Sequence, residues 1–394
     1  MADSRALFSL PDPDVRRLAF EVGDTGENTD VESEEVGEAI DKPFDPEQIE
    51  VQTRNPTVSL LLNRIRRGTL DLAPDFQRNA GIWTKEAQSR LIESLLLRIT
   101  LPTFYAAEGD DDSWAVVDGV QRLTTIARFV DPESISAQRL RLSGLEYLKD
   151  YNGATFADLP GRFKTRIEET ELVVLLIRRG TPEAVKFNIF ARINTGGRPL
   201  TRQELRHALI PGRSRTFLAE LADSDEFKSA TGYGVSPDRM SDREMCLRFL
   251  AFVLTPPELY QVQDFDGFLR DAMHRINRLS DFDVDRLRRQ FARAMLASRN
   301  VLGHYAFRKR FHGTSRLSPV NKALFEAQAV TLAGLDDPII SELIRRRLEV
   351  ENSFADLMED VDFYDSISAG TGDVGKVRIR FSKVDALFDE VLNA

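Results

Sequence analysis

Trp114-Ala115-Val116-Val117-Asp118-Gly119-Val120-Gln121-Arg122-Leu123-Thr124-Thr125-Ile126-Ala127-Arg128-Phe129-Val130 decides the fold of the first half of the chain. Trp114 to Val117 is a compact apolar run of strand formers. Asp118-Gly119 is a turn pair, and glycine reaches backbone angles closed to other residues. From Val120 the period becomes helical. Val120, Leu123, Ile126 or Ala127, and Phe129 or Val130 recur on one face. The stretch predicts strand, turn and helix, with that face on a sheet. Gln121 and Arg122 then sit in the first helical turn, pointing elsewhere.

A helix N-terminus attracts anions, because its first amides lack internal partners and the dipole adds positive charge. Arg122 adds a planar fork of donors suited to phosphate. Asp118 can cap the helix, orient the arginine or ligate a metal ion. Two readings fit these residues alone. One is a nucleotide-phosphate site, and the other is a capped helix with a surface arginine.

Order is expected from about Ile49. Thr57 to Arg67 reads as a helix closed by Gly68. Leu70 to Ala73 reads as a strand, then Pro74-Asp75-Phe76-Gln77-Arg78 as a turn whose arginine is a second anion contact or a plain loop residue. Thr84 caps a helix running to about Arg98, and Leu101 to Tyr105 reads as a strand. Glu171 to Ile177 is apolar after its first residue, as in a strand covered on both faces. Thr181-Pro182-Glu183 opens the next helix. That helix ends at Asn194-Thr195-Gly196-Gly197, where the glycines permit close approach to a ligand and Asn194 offers both donor and acceptor. Thr201-Arg202-Gln203-Glu204 is a capping-box pattern, which makes Glu204 a cap rather than a catalytic acid.

From about Pro211 the periodicity is mostly helical, with Ser241 and Glu244 in another capping-box pattern. Two basic clusters stand out, Arg308-Lys309-Arg310 and Arg345-Arg346-Arg347. Such clusters serve as solvated helix faces or, in the sharper reading, as nucleic-acid contacts.

The net charge of −10 is unevenly spread. Glu21 to Glu50 holds twelve acids and one lysine, a balance of −11 that leaves the remainder near +1. The body can therefore carry basic patches. Residues 1–48 read as an acidic, disordered tail, since so few apolar groups cannot offset the entropy of ordering. No run is apolar enough to span a bilayer, so no membrane association is expected. Cys246 is the single cysteine, which excludes an internal disulfide and thiolate clusters and suits a cytoplasmic location. There is no phosphate-binding G-x-x-x-x-G-K-[ST] loop, no G-x-S-x-G elbow and no paired-histidine metal motif among the four histidines. No nuclease motif is present.

Three stretches in order carry a resemblance: Phe76-Gln77-Arg78 with Trp83, Val117-Asp118-Gly119-Val120-Gln121-Arg122-Leu123-Thr124-Thr125, and Phe190 to Leu200 with Glu204-Leu205-Arg206. Together they resemble the N-terminal nucleotide-handling domain family of GmrSD-type modification-dependent restriction systems. The same domain family occurs in phosphorothioate-sensing phage-defence proteins. The resemblance covers residues 55–208 and is weaker at Gly370-Thr371-Gly372 and Arg378-Ile379-Arg380. The family signature is Asp-Gly-Gln-Gln-Arg (DGQQR), in a fold similar to ParB and sulfiredoxin.

The resemblance implies an α+β architecture: a ParB/sulfiredoxin-like nucleotide-binding domain over residues 49–208, followed by an all-helical domain over 209–394. It implies binding and hydrolysis of a nucleoside triphosphate (ATP, GTP, CTP or UTP) with Mg2+. Asp118, Gln121 and Arg122 are the catalytic candidates. Gln77, Arg78, Gly119, Arg122 and Asn194 line the nucleotide, and Asp118 is the metal ligand. Val120 departs from the signature, which puts hydrolysis in doubt more than binding. The implied partners are DNA and a separate nuclease subunit, and self-association is left open. The alternative is a non-catalytic, nucleotide-gated DNA-binding or adaptor protein.

Overall fold

Phe104 and Ala106, Trp114 and Val116, and Val174 and Leu176 alternate along their segments and face one common core. That alternation builds a sheet within residues 42–211, one of two compact units. The other unit joins residues 1–41 to 212–394. The computed structural model describes residues 20–23, 27–34, 48–72, 83–109, 111–193, 200–262, 264–314 and 316–394. Its earliest strands, β1 (Phe20–Val22) and β2 (Asn28–Glu32), belong to the second unit.

The sheet of residues 42–211 contains β3 (Val51–Arg54), β4 (Leu70–Asp71), β5 (Phe104–Glu108), β6 (Trp114–Asp118) and β7 (Val174–Ile177). Their order is β3-β7-β5-β6-β4, with β7 parallel to β5 and β4 parallel to β6, and the other pairs antiparallel. One face carries α1 (Val58–Arg66), α2 (Lys85–Leu96), α3 (Val120–Val130) and α4 (Gly161–Glu169). Leu61, Ile65, Ile92, Leu95, Leu123 and Ile126 fill the layer between them. Thr84 caps α2 through its hydroxyl, as the sequence predicts, and Thr57, read as the first residue of a helix, caps α1 in the same way. Then come α5 (Glu183–Ile193) and α6 (Arg202–Leu209), and α6 packs against β6.

Two strands start later than expected. β5 begins at Phe104 rather than Leu101, because the Pro102 and Thr103 carbonyls accept hydrogen bonds from Arg122 instead of a neighbouring strand. β7 begins at Val174 rather than Glu171. Residues 136–160 have little regular structure yet bury Leu140, Leu142, Leu145 and Leu159. Glu93, buried on α2, holds this segment. Its carboxylate accepts from the amides of Glu146, Tyr147 and Leu148 at 3.0, 2.8 and 2.7 Å.

The second unit is built from α7 (Arg213–Asp223), α8 (Asp225–Ala230), α9 (Ser241–Leu254), α10 (Phe265–Arg278), α11 (Asp281–Leu302), α12 (Lys322–Gly334), α13 (Asp337–Arg345), α14 (Arg347–Leu357), α15 (Val361–Ser366) and α16 (Val374–Asn393). The α+β class, with a helical second half, is as expected. The boundary falls after Pro211 rather than 208. Arg380 on α16 is wholly buried, pairing with Glu326 of α12 and donating to the Thr371 carbonyl at 2.7 Å.

The acidic segment departs from expectation. Residues 20–23 and 27–34 are not a free tail: β1 and β2 pair antiparallel within the helical unit. Val31 is fully buried, and Glu32 N and Val320 N exchange hydrogen bonds with the Val320 and Asp30 carbonyls. Composition argued for disorder because it weighs apolar area against entropy. It did not account for cations waiting in the helical half. The rest of the predicted tail, residues 1–19, 24–26 and 35–47, lies outside the described residues. Ser241 and Glu244 are also diverted from capping. Ser241 lies inside α9 behind Met240, and its hydroxyl donates to the Glu21 carboxylate.

The three amides at Glu93 hold its carboxyl below the usual glutamate value, although burial alone pushes it up. A lowered value in the folded state means that this stabilisation is present above pH 4.5 and is lost as pH falls through the folded value. Trp83 and Trp114, the chain's two tryptophans, both lie in this unit and report its unfolding. Glu93→Ala should cost about 3 kcal/mol at pH 7 in denaturant titrations followed by tryptophan fluorescence. The gap to wild type should narrow steadily as the pH is lowered below 4.5.

Candidate functional site

Gly119 joins β6 to α3 at φ +94°, in the left-handed region. A Cβ there would meet Phe104 Cδ1 at 2.3 Å and the Arg122 guanidinium at 3.2 Å. Both the angle and the crowding therefore require glycine. Among the described residues no side chain caps α3, which leaves the amides of its first turn available. Val120 is buried on the packed face, where the periodicity places it.

Asp118 and Arg122 stand one turn apart, with Nη2 donating to Oδ2 at 2.9 Å. Arg122 is held on every side. Nη1 donates to the Pro102 carbonyl, Nη2 also donates to the Thr103 carbonyl at 3.2 Å, and the guanidinium lies 4.4 Å above the Phe104 ring. Burial lowers its pKa and the Asp118 charge opposes that fall, so it stays cationic. As placed, Arg122 clamps the start of β5 to the turn and aims the carboxylate beside it. Asp118 remains about one-third exposed.

Beside this pair, Gln121 Nε2 and Thr124 Oγ1 are buried and make no hydrogen bond among the described residues. Buried polar atoms without partners are uncommon, and each such atom has hydrogen-bonding capacity unspent. Thr125 is already satisfied, donating to the Gln121 carbonyl at 2.8 Å. Behind β6, on α6, Arg206 is wholly buried and its Nε donates to Gln203 Oε1 at 2.9 Å. Sequence reasoning singled out neither Gln203 nor the depth of Arg206. Glu204 is a cap, as expected: its carboxylate accepts from Thr201 N at 2.6 Å.

Gln77, Arg78 and Asn194 lie outside the described residues. Among the described residues, no cluster of three or more His, Cys, Asp or Glu side chains could hold a metal ion, so Asp118 stands as a single carboxylate. A cavity of about 570 Å3 opens at the opposite end of β6, between Arg54, Arg64, Glu108, Trp114, Leu176 and Arg178. None of the expected site residues lines it.

The basic clusters of the helical unit are largely taken up internally. Arg308 and Lys309 are buried, paired with Asp30 at 2.6 Å and Glu32 at 2.7 Å. Arg310 pairs with Glu351, and Arg347 with the same carboxylate. Arg345 and Arg346 share Glu342, and Arg346 also donates to the Val391 carbonyl at 2.6 Å. Arg345 is the most exposed of the six. Of the expected nucleic-acid contacts, Arg308 and Lys309 are thus buried rather than on a solvated helix face, and the acidic hairpin meets their charges.

The family model of the GmrSD restriction endonuclease N-terminal domain matches residues 58–211. This segment is a GmrSD-type N-terminal domain. The match ends where the sheet-bearing unit ends, at Pro211, and leaves the helical unit outside it. No curated protein and no solved structure matches the chain. The domain relates the protein to restriction and phage defence. No described helix is long and apolar enough to cross a membrane.

Gly119→Ala should destabilise the GmrSD-type unit by about 2 kcal/mol or more, through the left-handed angle and the displaced Phe104 ring. The expected outcome is a lower midpoint in tryptophan-monitored denaturation, with the helical signal of the other unit kept at intermediate denaturant.

Proposed function

We propose that the GmrSD-type domain binds a nucleoside triphosphate at the start of α3 and hydrolyses it slowly, and that nucleotide state controls engagement of DNA or of a separate nuclease subunit. The observation that carries this reading is the uncapped first turn of α3 beside two buried polar atoms that have no partner among the described residues, Gln121 Nε2 and Thr124 Oγ1. Such a turn offers amides and dipole to phosphate oxygens. Gln77, Arg78 and Asn194 complete the nucleotide site in this reading, within a ParB/sulfiredoxin-like fold. A cytoplasmic setting fits a substrate of that kind.

In hydrolysis, water attacks the γ-phosphorus, the bond to the β-phosphate oxygen breaks, and inorganic phosphate leaves a nucleoside diphosphate. Positioning and charge stabilisation supply most of such catalysis. Gln121 has an amide free to orient the water or a γ-oxygen. Arg122 holds Asp118 and the 102–103 backbone in register, with its charge beside the developing anion. Mg2+ that arrives with the triphosphate needs few protein ligands, since it keeps waters and phosphate oxygens. Asp118 suits that need: its Oδ2 faces Arg122, and its Oδ1 makes no hydrogen bond among the described residues.

Val120 supports the second reading, a nucleotide-gated adaptor or DNA-binding protein without turnover. Its side chain is packed in the core, so no amide is offered where the family signature has its first glutamine.

The test is phosphate release from ATP, GTP, CTP and UTP with Mg2+, with and without DNA, beside nucleotide-binding titrations. One nucleotide should bind and turn over. Gln121→Ala should reduce turnover about 100-fold while binding is retained. Arg122→Ala should lose both, with its fold checked by tryptophan fluorescence. Binding without turnover in wild type favours the adaptor reading, and gain of turnover in Val120→Gln would then name the cause. Absence of binding by all four nucleotides sinks the site.

A further inference from the structure

Four cations of the helical unit lie close together and are each answered by the acidic hairpin. Glu34 grips Arg248 of α9 through both oxygens, and Thr371 Oγ1 donates to the same carboxylate at 3.1 Å. Glu21 meets Lys322, at the start of α12, at 2.5 Å. Glu32 accepts from Lys309 at 2.7 Å and from the Asn321 amide at 3.0 Å. Asp30 meets Arg308 at 2.6 Å. The positions are contiguous. Glu244 bridges Arg248 and Lys322, Glu32 bridges Lys309 and Asn321, and Asn321 precedes Lys322 in the chain.

The hairpin is held mainly by charge. Val31 is its one fully buried apolar side chain among the described residues, and Phe20 is half-buried. Its backbone makes two hydrogen bonds to Val320. Its remaining ion pairs and side-chain hydrogen bonds to the helical unit named above all run through carboxylates. An element evolved only to fill a core gains more from apolar side chains, because desolvating ion pairs consumes most of their attraction. The spacing is also specific. Asp30, Glu32 and Glu34 alternate along an extended segment, so their carboxylates recur about every 7 Å. Successive negative charges along one edge of an extended chain are the pattern of a nucleic-acid backbone.

We infer that Arg248, Arg308, Lys309 and Lys322 form a binding cleft for the phosphates of a nucleic-acid strand, which Glu21, Asp30, Glu32 and Glu34 of the acidic hairpin occupy as an internal mimic. The cleft needs neither a nucleotide nor the α3 site. It deepens only the part of the proposed function that concerns DNA. Arg308 and Lys309 then contact DNA after the hairpin leaves, and not on the outer surface.

The experiment compares full-length wild type with the isosteric variant Glu21→Gln, Asp30→Asn, Glu32→Gln, Glu34→Gln. Binding of a labelled single-stranded DNA is followed by anisotropy without nucleotide, at 50 to 200 mM salt. The neutralised variant should bind at least tenfold tighter than wild type, with log affinity falling against log salt at a slope near −3, as for about four phosphate contacts. Adding Lys309→Ala and Lys322→Ala should abolish the gain. A folded variant with unchanged affinity, or a gain that survives loss of both lysines, overturns the inference. If neutralisation unfolds the helical unit by circular dichroism, hydrogen exchange on wild type decides. Saturating DNA should speed exchange at residues 28–32, and unchanged exchange there overturns the inference. Neither outcome bears on phosphate release, so the two proposals fail separately.

Discussion

The ring of Phe104 occupies the place where a side chain on residue 119 would stand. From that exclusion follows the left-handed turn, and from the turn follows the direction of α3. Arg122 then reaches back over the same ring and fastens Pro102 and Thr103. One missing Cβ thus ties β5, β6 and α3 into a unit. The cost is a backbone angle that only glycine tolerates well. The gain is a helix whose first turn has no side-chain cap among the described residues, at the end of a strand and beside a carboxylate held by Arg122.

Much of this was legible. The change of period at Asp118-Gly119 locates the turn, and Thr84 marks the start of α2 because a hydroxyl can accept from an orphan amide. Val120 is a clear case, since helical spacing alone assigns it to the core. What sequence could not supply was the fate of polar groups whose partners are far away in the chain. Ser241 and Glu244 have the spacing of a cap, yet Glu21 and Lys322 draw them elsewhere. Arg308-Lys309 has the composition of a nucleic-acid patch, yet both side chains turn inward. Glu93 gave no signal at all. Its role comes from three amides in an irregular segment some fifty residues away.

Charge therefore plays opposite parts in the two units. In the GmrSD-type unit the layer between sheet and helices is apolar, and ionised groups such as Glu93 and Arg122 pin loops and turns around it, with Arg206 buried apart from it on α6. In the helical unit, ionised side chains run through the interior, with Arg380 and Glu326 fully buried and Arg248 shared among Glu34, Glu244 and Glu326. Breaking one partner out of such a network leaves a charge stranded in a poor solvent, so its members are mutually dependent.

The helical unit is discontinuous, and this has a consequence for biosynthesis. Glu34 leaves the ribosome before Arg248, its partner 214 residues later. At ordinary elongation speeds that interval lasts roughly 10–40 s. Throughout it, the GmrSD-type domain can be completed while the hairpin remains a solvated acidic leader with nothing to dock against. Its lack of apolar surface, a poor predictor of its final state, suits that wait well: a nascent segment that clings to nothing is one that neither aggregates nor misdirects the domain emerging behind it.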